Sequence, residues 1–263
     1  MSAGPGGKTR IHLQLSDTRY REVFRALCSN ACEVTQRAAS EKEAVSAFHQ
    51  RLRHWQSFLQ RHGPEGLSEQ ERCGLFGELL ILRDLILPVI EAGTAVAGWR
   101  GCKRAAQDFQ YPNRAIEVKT TRAAIPDRVS VSSVQQLDEE GMQHLFLTVV
   151  HVNENETAGE TLPELVSSLR SAVSDSARDL LDSGLGEVGY SDAHAELYAR
   201  TKYLCRELLH FEVSEGFPRL SRGQIPDGVK GVRYEISIDS CRPFKVDQDT
   251  LLQLLGQQDP VEP

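Results

Sequence analysis

The longest apolar pattern in the chain runs from Gly74 to Ile90, GLFGELLILRDLILPVI, and is apolar nearly all round. That pattern belongs to a helix buried against a sheet rather than one lying on a surface. Ser68, with Glu71 three residues on, supplies a capping box for its start. Leu145 to Val152, LFLTVVHV, predicts a central buried strand. Between them, AIEVKTT alternates, sending Ile116 and Val118 to one face and Glu117 and Lys119 to the other. The turn residues of Tyr111-Pro112-Asn113-Arg114 join it to a second β-prone run, so Gln107 to Thr121 reads as a hairpin. Val129 to Ser133 alternates apolar and hydroxyl side chains and predicts a third strand. Ser132 or Ser133 then caps a short helix, since both S-x-x-Q frames are present, one ending at Gln135 and the other at Gln136.

After a polar loop from Asn153 to Thr161, a helix with Pro163 at its first position is predicted to about Asp182. Leu165, Leu169, Val173, Ala177 and Leu180 lie along one side of it. A second helical piece spans Asp192 to Ala199, strands span Leu204 to Val213 and Val232 to Ile238, and Leu251 to Leu255 is a short final helix. Towards the N-terminus, residues 1–8 are Gly-rich and read as disordered, Ile11 to Leu15 as a strand, and Asp17 or Thr18 as the cap of a helix reaching Ala38. Ser40 and Glu43 form a capping box for a further helix, whose Ala44, Phe48, Leu52 and Phe58 share a face widened by Trp55 and Leu59.

At 263 residues, 40% hydrophobic and 25% charged, the chain can bury a sizeable core as one large domain or one domain with a helical appendage. No apolar run reaches membrane-spanning length and no charged-then-apolar leader opens the sequence, so a cytoplasmic protein without membrane contact is expected. The six cysteines form no C-x-x-C pair and read as free thiols; Cys28 and Cys32, one helical turn apart, lack the second ligand pair a zinc site needs. A formal charge of -7 argues against a protein that coats nucleic acid by charge alone. It leaves room for a nuclease, whose acidic cluster contributes to that sum.

The candidate chemistry sits on the hairpin. Pairing across its turn brings Asp108 to the same end of the sheet as Glu117 and Lys119, two carboxylates and an amine that can hold a hard divalent cation and a water. An E-x-K on a strand is far more often a solvated charge pair of little energetic weight. Glu78 shifts that balance: its helical neighbours Leu75, Ile81 and Leu82 are apolar, Arg83 and Asp84 lie on another face, and an unpaired charge there would cost several kcal/mol. It is either half of a buried ion pair with a distant arginine or an acid that joins the hairpin cluster. Residues 91–106, with Gly93, Gly98, Gly101 and an exposed-looking Trp99, connect the two; Lys103 and Arg104 there are phosphate contacts or plain loop charges. The basic loop from Arg219 to Lys230 reads as a DNA-contacting segment or as ordinary surface.

The order of these parts resembles the restriction-endonuclease-like core of the PD-(D/E)XK nuclease superfamily. The GLFGELLIL helix, Trp99 and Gly101, the AIEVKTT strand, VSVSSVQQL and EGFPRLSR resemble more narrowly an uncharacterised bacterial PD-(D/E)XK family suspected in restriction or phage-defence loci. The likeness covers about Ala44 to Val246, with Gln107 standing where the superfamily name has proline. It implies an α/β (α+β) fold: a mixed β-sheet flanked by helices in residues 67–246, preceded by an N-terminal helical region, 1–66, and followed by a C-terminal helix and tail, 247–263. It implies that Asp108 and Glu117, helped by Glu78 and the Val118 carbonyl, hold Mg2+ or its substitute Mn2+, and that Lys119 orients the attacking water. The residues themselves add Gln135, which at the start of its short helix can set an amide beside the lysine strand or the nucleic-acid backbone. The expected activity is metal-dependent DNA cleavage within a defence system, with partner proteins and a homodimer as expected company. Two other readings stand beside it: a nuclease-fold subunit that binds DNA or partners without cutting, and a sugar or nucleotide hydrolase, for which no substrate-pocket signature is present.

Overall fold

A computed structural model supplies the fold and describes residues 2–3, 9–10, 12–18, 21–61, 66–103, 105–155 and 157–256. Two compact units divide the chain, Met1–Gly66 with Ser191–His194, and Leu67–Tyr190 with Ala195–Pro263. In the first, β1 (Ser2–Ala3) pairs antiparallel with β2 (Thr9–Arg10), and α1 (Arg21–Gln36) packs on α2 (Glu41–Arg61). The Ser40 hydroxyl accepts the Glu43 N–H at 3.2 Å, as a helix start of this composition should. Ser2 and Ala3, expected to be disordered, form a strand, whereas 12–17 carry no regular structure and the expected strand over Ile11 to Leu15 is not found there. α1 begins at Arg21, later than a cap at Asp17 or Thr18 would place it. The stripe through Trp55, Phe58 and Leu59 lies outside the described side chains.

The second unit opens with α3 (Glu69–Ile81), closed at its start by the reciprocal bonds of Ser68 and Glu71. The apolar run then passes into a π-helical turn, Leu82–Ile86, rather than continuing as α-helix to Ile90. There follow α4 (Ala92–Gly98), β3 (Phe109–Tyr111), β4 (Arg114–Thr121), β5 (Arg128–Val131), β6 (His144–Asn155) and β7 (Glu160–Thr161). α5 (Leu162–Ala172), α6 (Asp175–Val188), α7 (Ala195–Tyr198), β8 (Lys202–Glu212), β9 (Tyr234–Ser237), α8 (Ile238–Cys241), β10 (Lys245–Val246) and α9 (Gln248–Gly256) complete it.

The main sheet has the order β10-β8-β6-β4-β3, with β7 added on β8. Only β4 and β6 run parallel, so the sheet is mixed. β6 is central, as its unbroken apolar run predicts, and the β3–β4 hairpin turns at Asn113, which takes the left-handed φ of 56° that asparagine tolerates. The sheet buries both faces. Ile116, Val118, Phe146 and Val150 face Phe76, Leu79, Leu165 and Leu181, while Ala115, Leu145, Leu147 and Val149 pack with Val129, Val131 and Ile236. Each fully buried Leu, Ile or Phe contributes about 2 kcal/mol. α3 approaches β4 so closely that a Cβ on Gly77 would lie 1.9 Å from Thr120 Oγ1. This is the restriction-endonuclease-like architecture: a mixed sheet flanked by helices.

Several sequence expectations are corrected. The strand expected over Val129 to Ser133 is found as β5 but stops at Val131, and it pairs with β9 in a separate two-stranded ribbon. The helix expected over Pro163 to Asp182 breaks at Val173 and Ser174; Leu165, Leu169, Val173 and Ala177 are buried as expected, whereas Leu180 is 50% exposed and Leu181 is buried instead. The expected loop from Asn153 to Thr161 begins and ends in strand, because β6 runs on to Asn155 and β7, Glu160–Thr161, pairs with β8. Val134–Leu137 is a 3-10 turn whose Ser133 makes no side-chain cap bond.

Candidate active site

Asp108 stands one residue before β3, and the register Phe109 to Ile116 sets it beside the E-x-K of β4. Its Oδ2 accepts the Val118 N–H at 2.8 Å. On the opposite face from Ile116 and Val118, Glu117 is 1% exposed and its Oε1 lies 2.7 Å from Lys119 Nζ. The same ammonium donates to Gln136 Oε1 at 3.1 Å, and that amide oxygen also accepts the Ser132 N–H at 2.7 Å. Glu78, rising from α3, accepts the Trp99 indole N–H on Oε2 at 2.7 Å. An ideal Cβ on Gly101 would sit 2.7 Å from Asp108 Oδ1 and 2.8 Å from Glu78 Oε2, so these two carboxylates face a common point. Glu78, Asp108, Glu117 and Lys119 are therefore neighbours, although they come from a helix, a strand entry and a strand.

Three acids crowd one ammonium, and burial sets their protonation. It pushes the Glu78 carboxyl well above the usual carboxylate range, the nearby Asp108 adding to the effect and the Trp99 N–H and Lys119 opposing it. Burial raises Asp108 to about 6 against the pull of the Val118 N–H and Lys119. Glu117 is also pushed well up, by burial first and Asp108 second, with Lys119 opposing. Glu78 and Asp108 each keep partial exposure as residues, yet their carboxyl groups are enclosed. Perturbed acids gathered in one place are a mark of functional sites.

Among the described residues, no three His, Cys, Asp or Glu side chains are drawn together as a metal-binding group. Lys119 holds one Glu117 oxygen, Val118 one Asp108 oxygen and Trp99 one Glu78 oxygen. The donors nonetheless fit a hard divalent cation. Glu117 Oε2 is buried without a hydrogen-bond partner, and the space that a Cβ at Gly101 would fill lies between two further carboxylate oxygens.

Gln135 is not brought into this group. Its side chain is exposed beside the loop of Ile225 to Val232, its backbone oxygen takes the Gln107 Nε2–H at 2.8 Å, and the amide that reaches Lys119 is that of Gln136. Val118 enters through its N–H. Trp99, expected to be exposed, is 2% exposed and seated against Gly184 of α6, where a Cβ would meet its ring at 2.9 Å. Trp99, Gln136 and Gly101, which lie against these acids and Lys119, are the neighbours that sequence reasoning missed; an indole following a buried acid was the one available signal. In the basic loop, Arg219 is tied to Leu137 O and Glu139 and Arg222 to Asp138, while Lys230 is exposed. Lys103 is exposed and Arg104 lies outside the described residues. No described helix is long and apolar enough to cross a membrane.

Sheet, hairpin and acid cluster together define a member of the PD-(D/E)XK class. The family described as "Putative PD-(D/E)XK family member, (DUF4420)" matches residues 2–239, and the chain belongs to it. No curated protein and no solved structure matches the chain.

Proposed function

We propose that the chain is a metal-dependent phosphodiesterase that cleaves DNA. The observation that carries the reading is the buried, partnerless Glu117 Oε2 in a group with Asp108, Glu78 and Lys119. In this reading Asp108 and Glu117, with Glu78 and the Val118 carbonyl, hold Mg2+ or Mn2+. The bound ion supplies a more acidic water and offsets charge on the phosphate. Lys119 orients that water and stabilises the negative charge that builds on the phosphate oxygens. Gln136 and Glu117 fix the lysine: the first accepts one of its protons and the second lies in salt-bridge contact with it. Resemblance to a family suspected in restriction loci extends the proposal to a defence role with partner proteins.

The test is cleavage of plasmid and linear DNA with Mn2+, with partner proteins supplied. Asp108→Asn and Lys119→Ala should each lose activity; wild type and Lys119→Ala behaving alike would sink the reading. A second reading, a nuclease-fold subunit that binds without cutting, draws support from the ion pair that occupies Glu117 and from the absence of a ready three-acid group among the described residues. Calorimetry separates the two: Mn2+ binding abolished by Asp108→Asn counts against the silent subunit.

A further inference from the structure

Gly101 has no backbone reason to be glycine. It is not among the residues with positive φ, so alanine could take its conformation. Its position is fixed nevertheless: the N–H groups of Arg100 and Gly101 donate to the Asp108 carbonyl at 2.6 and 2.9 Å, and Trp99 bridges to Phe109. Glycine is required here by what the missing Cβ would strike, two carboxylate oxygens from different elements. Trp99, two residues earlier, is seated by Gly184 behind its ring and points its indole N–H at one of those oxygens, Glu78 Oε2. One short segment thereby both leaves the space open and aims a ligand into it.

Resting on the metal-dependent reading, we propose that Gly101 and Trp99 are the positioning residues that shape the cation pocket. Gly101 reserves the point where Glu78 and Asp108 meet, and Trp99 holds Glu78 there. Neither touches the reacting phosphate. The ligand class is a hard divalent cation with its waters, which needs oxygen donors and room rather than a covalent partner. A methyl group at Gly101 forces one or both carboxylates aside; loss of the indole N–H frees Glu78 to turn away.

The experiment is Mn2+ binding to the full chain after chelator treatment, read by calorimetry and by tryptophan emission. Trp55 and Trp99 are the two tryptophans of the chain, so a Trp55→Phe background isolates Trp99. Wild type should show saturable Mn2+ quenching of Trp99. Gly101→Ala should weaken Mn2+ binding by about tenfold or more while still melting cooperatively in chelator, a pairing that loss of the fold would not produce. Trp99→Phe, measured by calorimetry, should weaken binding several-fold and serves as the deciding variant if Gly101→Ala fails to fold. Wild-type affinity in both variants overturns this inference and leaves the metal-dependent reading standing. A wild-type protein that takes up no Mn2+ overturns both.

Discussion

Asp108→Asn should stabilise the metal-free protein. Ionised Asp108 sits in an enclosure that raises its pKa from 3.8 to about 6, a shift equivalent to about 3 kcal/mol of disfavoured charge. Solvent that still reaches the residue reduces the expected gain to about 1–2 kcal/mol. The asparagine oxygen can still accept the Val118 N–H, and its amide can donate towards Glu78, whose own charge it then relieves. The sign is set by linkage: a raised folded pKa gives stability that is present below the ordinary value and lost as pH rises through about 6. At pH 7.5 the full penalty is in place, and it fades as pH falls from about 6 towards 4. Thermal melts in chelator should place the variant roughly 2–6 °C above wild type at pH 7.5, with a smaller gap at pH 5. Saturating Mn2+ should reverse the order, because only wild type keeps the full ligand set. A variant less stable than wild type in chelator at pH 7.5 would refute the buried-charge account.

On the proposed mechanism, Lys119→Met should lower DNA cleavage by ~10²-fold or more without weakening Mn2+ affinity, since it removes the ammonium beside Glu117 and spares the carboxylates; equal losses in both measurements would make the lysine structural. Gly77→Ala should cost about 1–3 kcal/mol in urea unfolding by driving α3 off Thr120, and adding Thr120→Ala should recover most of it. His210, 3% exposed and bonded to Thr148, has its pKa pushed down to about 4 by burial and by Lys245. A depressed histidine loses stability as pH falls from its unfolded value near 6.5 towards about 4, so His210→Gln should lose up to about 3 kcal/mol less than wild type over that range. Parallel acid profiles for the two proteins would show that His210 protonates freely.

What could be read from the sequence was whatever one element carries by itself. Glu78 was legible because a lone acid interrupts an apolar run, and the hairpin because Pro112 and Asn113 punctuate two strands. Alternation announced β5 as a strand but could not name its partner, since β9 lies far along the chain and the pairing is decided by packing. The break at Ser174 is silent in the sequence because apolar residues continue through it. Gln136 and Gln135 were indistinguishable for a similar reason: a 3-10 turn and an α-turn aim successive residues differently. Trp99 read as exposed because its seat, Gly184, belongs to another helix.

The pocket can approach neutrality in two ways, and these compete. Three carboxylates face one ammonium, an excess that either protons or a divalent cation can cancel. Because burial raises the carboxyl groups, the metal-free pocket keeps protons at a pH where free carboxylates have lost theirs, and a cation must expel them. Mn2+ binding should therefore release protons near pH 6, where Asp108 is about half protonated, and affinity should fall as pH drops through that value. Calorimetry in buffers of different ionisation enthalpy measures the number directly, since the observed heat scales with the protons passed to the buffer. Release should shrink in Asp108→Asn, which has no proton to give at that position. Buffer-independent heats for wild type would mean that the acids are already ionised without metal. In that case Lys119 and the surrounding dipoles, rather than bound protons, hold the excess charge.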